Sequence, residues 1–124
     1  MAEFEIGARL EYTVEVTSEL AINFLGPSGA RVLATPRMIA WMEKTCRDLV
    51  FPMLPEGQDT VGTHVNVYHR KAASMGSTVQ FSAEFTAVNR RRVQFNVRCI
   101  MGEAVIGDGT HERAIIDVAQ FAKA

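Results

Sequence analysis

The sequence has few cysteines and no excess of basic charge, and both shortages narrow the possible functions. Its 124 residues contain two cysteines, Cys46 and Cys99, without the CxxC spacing of a redox or zinc motif. Free thiols in a reducing cytoplasm are therefore expected rather than a disulfide framework. Thirteen basic and fourteen acidic side chains leave a formal net charge of −1. Because nucleic-acid binding usually needs a basic excess, we expect no nucleic-acid partner.

Long apolar runs and cofactor motifs are also missing. The apolar runs are only a few residues long, whereas a membrane-spanning helix needs about 20, so no membrane partner is expected. The N-terminal residues MAEFEIGARL lack the basic head and apolar stretch of a signal peptide. The chain has no GxGxxG or GxxxxGK[ST] phosphate loop, no GxSxG elbow and no cluster with zinc-ligand spacing. The sequence therefore predicts neither a metal nor a cofactor.

The amino-acid composition and the length are typical of one globular domain. With 48% hydrophobic and 22% charged residues, the length suits a single domain over residues 1–124. Residues 9–17 alternate between apolar and polar side chains, which predicts a half-buried strand. Residues 18–31 contain the punctuation Gly-Pro-Ser-Gly and predict a loop or short helical lid. Within it, Ile22, Phe24 and Leu25 are candidates to cover a site below.

The segment VLATPRMIAWMEKTC, residues 32–46, predicts the start of the only long helix. Threonine is a good N-cap, so Thr35 is predicted to cap the helix and Pro36 to take its first position. Pro52 and Pro55 are expected to end the element. Between Pro36 and Pro52, apolar residues recur at helical spacing: Met38, Ile39, Met42, Cys46, Leu49 and Val50.

Four strands are predicted after the helix, over residues 60–73, 77–89, 92–101 and 104–118. In the first, one face should carry Val61, Thr63, Val65, Val67 and His69. In the second, one face should carry Val79, Phe81, Ala83, Phe85 and Ala87. One strand, a lid, one long helix and four strands predict an α+β fold, in which a curved antiparallel sheet wraps around the helix.

Glu43 is the residue of this helix most suited to chemistry. It lies beside the apolar stripe, so it is either an ordinary solvated residue or a partly buried carboxylate. Burial would raise the pKa of the carboxylate and suit it to act as a general base or nucleophile. At the helix start, the amides of Arg37 and Met38 are candidates to stabilise a developing oxyanion. His69 ends an apolar strand face, as either a core residue or a catalyst.

Several segments together resemble the fluoroacetyl-CoA-thioesterase-like branch of the hotdog acyl-CoA thioesterases. They are VLATPRMIAWME, TVGTHVNVYH, the glycine at 76, and IGDGTHERAIIDVAQF, in the same order and spacing over roughly residues 32–121. The resemblance implies a hotdog fold, an acyl-CoA substrate and a homodimer with sites along the shared boundary. It also implies a catalytic set of Thr35, Glu43 and His69, with Gly62 and Arg113 lining the acyl-thioester site. The fluorinated substrate of the specialised member is not implied.

The spacing of Thr35 and Glu43 has a geometric consequence. Eight helical residues rise by about 12 Å and turn through two turns plus about 80°. In one straight helix, therefore, the two side chains cannot touch. A two-fold dimer with antiparallel central helices could bring Glu43 of one chain towards Thr35 of the other. A kinked helix, or a substrate extended past both groups, would be an alternative.

Two other functions fit the same fold. One is a non-catalytic module that binds an acyl-CoA or a related small molecule and releases no thiol. The other is a hotdog hydratase, for which Asp59 and His64 are the nearest Asp/His pair. A screen for thiol release over a panel of acyl-CoAs separates hydrolysis from both.

Overall fold

The computed structural model describes residues 3–123. These residues form one five-stranded antiparallel sheet, in the order β1-β3-β4-β5-β2, and one long helix. The elements are β1 (Arg9–Glu15), α1 (Thr35–Val50), β2 (Gln58–His69), β3 (Thr78–Asn89), β4 (Arg92–Met101), β5 (Ala104–Asp117) and α2 (Val118–Phe121), with single 3₁₀ turns at Ser18–Leu20 and Phe51–Met53. The predicted α+β architecture is confirmed. The four-residue α2 was not predicted, and β2 ends at His69 rather than at residue 73.

Helix α1 packs its apolar stripe on the inner face of the sheet. Its fully buried or nearly buried side chains include Met38, Met42, Cys46 and Val50. They meet the alternating inward residues of β3 and β4, among which Phe81, Phe85 and Phe95 are at most 1% exposed. Burying one such side chain contributes about 1.5–3 kcal/mol, so this layer stabilises the fold. The fully buried thiols, Cys46 and Cys99, are free, as expected.

A bulge in β2 changes which side chains face the helix. The pairing with β5 shifts between Gly62, opposite Arg113, and His64, opposite Glu112. The extra residue, Thr63, turns outwards and donates its hydroxyl hydrogen to Glu112. An extra residue reverses the alternation of faces along the strand.

The prediction that Val61 and Thr63 share a face of β2 with Val65, Val67 and His69 is therefore wrong. The residues of β2 that lie on the face towards α1 are Thr60, Gly62, Val65, Val67 and His69. A similar shift in β3 places Val88, rather than Ala87, opposite the buried Val93. Within residues 3–123, no helix is long and apolar enough to cross a membrane.

Candidate active site

Thr35 lies at the start of α1 and contacts the end of β2. Ala34, not Thr35, is the N-cap, so the predicted cap is wrong and Thr35 is the first helical residue. Its hydroxyl group therefore makes no capping bond and is joined to Nδ1 of His69 by a hydrogen bond of 2.6 Å. The structure thus brings two of the three predicted catalytic residues into direct contact.

The environment of His69 favours a neutral imidazole. Burial lowers the pKa of His69, and a smaller opposing effect of the Lys71 backbone does not cancel it. Its Nε2 atom is buried and has no hydrogen-bond partner within residues 3–123. Because a buried polar atom normally has a partner, this nitrogen is suited to contact a bound molecule.

The predicted oxyanion donors at the helix start are already in use. The amides of Arg37 and Met38 both donate to the carbonyl of Ala34, at 3.0 Å each. With Ala34 as the cap, these groups lie in the first intrahelical turn, so the prediction of two free amides is wrong. The Met38 side chain is buried at Gly107, where an added Cβ would come within 2.5 Å of its sulfur atom. The Thr35 amide, in contrast, makes no backbone hydrogen bond to the described residues.

Glu43 lies two turns further along α1 and faces β2 and β5. Its Oε2 atom is 3.8 Å from Nη1 of Arg113 and 4.0 Å from Nε2 of His111. The Cα of Gly62 faces the same oxygen, since a Cβ built there would lie 2.7 Å from it. The Glu43 side chain is 40% exposed. The carboxylate is therefore neither fully solvated nor buried, and it lies beside a glycine and an arginine.

Arg113 is held rigidly in this cluster. Its side chain is 8% exposed, and it donates from Nε to the Thr60 hydroxyl at 2.7 Å and from Nη2 to the Thr60 carbonyl at 2.9 Å. The remaining nitrogen, Nη1, is 3.2 Å from Nε2 of His111. Sequence reasoning missed Thr60 and His111. The alternation in THERAI, which puts His111 and Arg113 on one face of β5, was the available signal.

The two groups of residues are separate within one chain. Thr35 and His69 lie where α1 starts and β2 ends, whereas Glu43, Gly62 and Arg113 meet two helical turns away. Within residues 3–123, no hydrogen bond or ion pair joins the two groups, and α1 is a continuous α-helix over both. One chain therefore does not bring the threonine and the glutamate to one point.

A cavity of about 390 Å³ opens beside Thr35 and His69. Its other lining residues are Ile22, Phe24, Val32, Leu33, Arg70, Lys71 and Ala72. Of the three residues predicted to cover a site, Ile22 and Phe24 line this cavity, whereas Leu25 does not. The base of the lid is fixed by Arg31, which donates to the carbonyls of Ile22, Ser18 and Ala21. The cavity thus has apolar walls with two cationic side chains.

Asp59, the acid of the pair proposed for a hydratase, is engaged elsewhere. Both carboxylate oxygens of Asp59 accept hydrogen bonds from Arg47, at 2.6 and 3.0 Å. The pKa of Asp59 is lowered chiefly by that guanidinium, so the group stays ionised. His64 is exposed, and no hydrogen bond or ion pair joins its ring to Asp59 within residues 3–123.

Comparison with known proteins agrees with this geometry. A family model described as fluoroacetyl-CoA-specific thioesterase matches residues 16–119. This chain belongs to that family. It is a hotdog-fold thioesterase, and the predicted fold and enzyme class are confirmed.

Individual proteins are similar to this chain over nearly its whole length. The fluoroacetyl-CoA thioesterase of Streptantibioticus cattleyicolor is 33% identical over 122 residues, which cover 94% of this chain and 88% of that one. A solved structure of fluoroacetyl-CoA thioesterase FlK superimposes with a TM-score of 0.88 at 31% identity, covering 98% of this chain and 94% of that chain. A Thermus thermophilus protein of the thioesterase superfamily gives 0.89 at 28% identity, covering 99% and 91%.

Replacing Gly62 by alanine is expected to reduce kcat by about 10–10²-fold, because it would displace Glu43, the predicted catalytic carboxylate. The new Cβ would collide with Oε2 of Glu43, and the flexible carboxylate would swing away from the site. Steady-state thioester hydrolysis measures the rate, and urea denaturation should show a stability change below about 1 kcal/mol. Val61→Ala, the neighbouring change on the opposite face, is the control. An unchanged kcat in Gly62→Ala would show that this contact has no role.

Proposed function

We propose that this thioesterase hydrolyses acyl-CoA to a free acid and coenzyme A, at a site completed by two copies of the chain. The observation that carries the proposal is the paired arrangement along α1 and β2. A Thr35–His69 hydrogen bond lies at one end, and Glu43 beside Gly62 and Arg113 lies at the other. Each end holds part of a catalytic set, and both ends border the same edge strand.

Structures of relatives support a coenzyme A thioester as the substrate class. A phenylalanine-to-alanine variant of the fluoroacetyl-CoA-specific thioesterase FlK was solved with fluoroacetate and CoA, at 32% identity to this chain and a TM-score of 0.86. A threonine-to-serine variant of the same enzyme was solved with acetyl-CoA, at 31% identity and a TM-score of 0.87. We propose a coenzyme A thioester as the substrate of this chain and do not extend the fluorinated acyl group to it.

The edge of the sheet suits a homodimer. Strand β2 is at the edge, with β5 on one side. Val65 and Tyr68 in it are 41% and 63% exposed. An open strand edge presents backbone donors and acceptors that another strand can satisfy. Antiparallel pairing of two β2 strands around a two-fold axis at Asn66 would set Gly62 of one copy opposite His69 of the other, because Thr63 is the extra residue of the bulge.

Such a dimer would unite the two groups at each of two equivalent sites. Glu43 of one copy would then face the Thr35–His69 pair of the other, across a cleft that admits a thioester. The acyl group would enter the cavity beside Thr35, against Ile22 and Phe24. Arg70 is already paired with Asp108 at 2.9 Å. Lys71 is exposed at the same cavity and is a candidate to meet a phosphate of the coenzyme.

Two routes of hydrolysis are compatible with this arrangement. In one, a Glu43 oxygen attacks the thioester carbon, the C–S bond breaks with its electron pair leaving on the thiolate, and water hydrolyses the resulting anhydride. In the other, Glu43 takes a proton from water, and the hydroxide adds before the same C–S bond breaks. A thiolate leaves readily in both routes. The Thr35 hydroxyl and amide and the Gly62 amide are candidates to stabilise the oxyanion, and neutral His69 is placed to exchange a proton.

Mixing two inactive variants tests the shared site. Thr35→Ala and Glu43→Ala homodimers should each be nearly inactive. If subunits exchange at random, half the dimers are mixed and each has one intact site, so activity should recover to about a quarter of the wild-type value. Native mass spectrometry of mass-labelled chains confirms that mixed dimers form. Mixed dimers without recovered activity would contradict the shared site, and mixing either variant with the double variant is the control.

A thiol-release screen over short, branched, aromatic and long acyl-CoAs tests the reaction itself. Hydrolysis of at least one class is expected, with loss of activity in Glu43→Ala. Saturable binding of acyl-CoA without thiol release would instead indicate a non-catalytic binding protein. The cytoplasmic location remains a prediction.

A further inference from the structure

His111 occupies a position between the two strands that carry the Glu43 cluster. It lies on β5 and is 2% exposed. Its Nδ1 is 2.8 Å from the carbonyl oxygen of His64 on β2, and its Nε2 is 3.2 Å from Nη1 of Arg113. The ring packs against Phe95, with 6.4 Å between the ring centres. Both ring nitrogens and one face of the imidazole therefore contact defined groups.

These contacts determine which ring nitrogen carries the proton. A carbonyl oxygen can only accept a hydrogen bond, so Nδ1 of His111 must be the donor towards His64. In a neutral imidazole the other nitrogen, Nε2, then carries a lone pair. Arginine has donors only, so Nη1 of Arg113 donates to this lone pair. The protein backbone thus selects one tautomer, and that tautomer supplies an acceptor for the guanidinium.

The hydrogen bond to His64 also lies directly next to the bulge of β2. The pairing shifts between Gly62 and His64, and the ring of His111 is anchored immediately beyond that shift. A Cβ at Gly62 would come within 3.3 Å of Cε1 of His111 as well as within 2.7 Å of Oε2 of Glu43. One side chain therefore supports the bulge that exposes Gly62 and the guanidinium that faces Glu43.

We infer that His111 is a positioning residue for the hydrolysis: its unprotonated Nε2 holds Arg113 so that Nη1 is directed at the Glu43 carboxylate. This inference rests on the proposed role of Glu43. Without the acceptor, the guanidinium plane is free to tilt about its two bonds to Thr60, and this tilt moves Nη1 away from the cluster. Glu43 would then lose its directed partner although Arg113 remains in place.

Protonation of His111 would reverse this arrangement. The charged or titratable groups around the ring are Glu43 from α1, Arg113 on β5 and His64 on β2. Burial lowers the pKa of His111, and Arg113 acts in the same direction against the His64 carbonyl and Glu43. The ring is therefore neutral at pH 7, and positioning is lost only as the pH falls through this lowered pKa. Below it, Nε2 becomes a donor that repels Nη1 and competes for Glu43.

Nitrogen NMR of the wild-type protein tests the tautomer directly. The chain has three histidines, so ¹⁵N signals of the side chains can be assigned by single His→Asn replacements. At pH 7 to 8, His111 should carry its proton on Nδ1 and give an Nε2 shift typical of an unprotonated nitrogen. A proton on Nε2 in that range would overturn the inference, and this result is read from the wild-type ring rather than from the activity of a variant.

Two variants separate the two ring nitrogens. In His111→Gln the amide reaches the Nε2 position and can accept from Arg113, whereas in His111→Asn the amide replaces only Nδ1. We expect His111→Gln to keep kcat within about 5-fold of wild type and His111→Asn to lose about 10–10²-fold, with KM changed little in both. Thr110→Ala, the neighbouring exposed position on β5, is the control.

The outcomes distinguish this inference from the proposed function. A merely structural His111 would reduce kcat equally in both variants, in proportion to the folded fraction measured by thermal unfolding, and this result would overturn the inference. If Glu43→Gln were fully active in the same assay, the proposed function would fail instead. The acidic fall in kcat should also shift in His111→Gln, since glutamine does not titrate.

Discussion

Replacing Glu43 by glutamine is expected to lower kcat for thioester hydrolysis by at least about 10²–10⁴-fold, the usual contribution of a general base. Glutamine has the same size but can neither attack a carbonyl as an anion nor take a proton from water. The carboxylate is 40% exposed and faces Arg113 and Gly62, and the proposed shared site puts the thioester beside it. Thiol release under saturating acyl-CoA measures the change.

The fold should survive this substitution. Glu43 is 40% exposed, and its closest charged partner is 3.8 Å away, so we expect the free energy of unfolding to change by less than about 1 kcal/mol. Glu56→Gln, at an exposed glutamate before β2, is the matched control and should be fully active. Near-normal turnover in Glu43→Gln would remove this residue from the mechanism and leave hydrolysis without its proposed base or nucleophile.

Replacing Arg113 by lysine is expected to impair both stability and turnover, although the charge is kept. The guanidinium donates at two points to Thr60 and at a third to His111. A lysine ammonium group lacks this planar fork and cannot reach all three acceptors. Since a hydrogen bond to a charged group is worth about 1.5–3 kcal/mol, the free energy of unfolding should fall by a similar amount. The misplaced charge should lower kcat by about 10²-fold.

Urea denaturation and steady-state kinetics measure these two effects of Arg113→Lys separately. Arg92→Lys is the matched control, because Arg92 is an exposed arginine that pairs with Glu112 at 2.8 Å on the outer face. Exposed ion pairs contribute about 0–1 kcal/mol, so this control should behave like the wild type. Unchanged stability of Arg113→Lys would mean that the buried contacts to Thr60 are not maintained in solution.

The prediction of the helix start shows where local patterns are insufficient. Thr35 before Pro36 is a good capping sequence, and the helix does begin there. The chain reaches Thr35 from the paired segment at Leu33, so Ala34 takes the cap position. The hydroxyl group of Thr35 is then available for His69, and the Arg37 and Met38 amides are used by Ala34. Moving the cap by one residue, from Thr35 to Ala34, left the Thr35 amide rather than the Arg37 and Met38 amides as the candidate oxyanion donor. Only tertiary contacts decide such a shift.

The sequence by itself determined the number and type of the main elements, the fold and the family. Helical and strand periodicities depend on side chains a few residues apart, so they can be read directly from the sequence. The residues of the family motifs could likewise be named in advance, although their catalytic roles remain predictions.

Only the tertiary structure decided the bulge at Thr63, the tautomer of His111 and the grouping of Glu43 with Gly62 and Arg113. It also separated these residues from Thr35 and His69. Each of these features depends on which atom of a neighbouring strand accepts or donates a hydrogen bond. Because such partners lie far apart along the chain, no local pattern contains them.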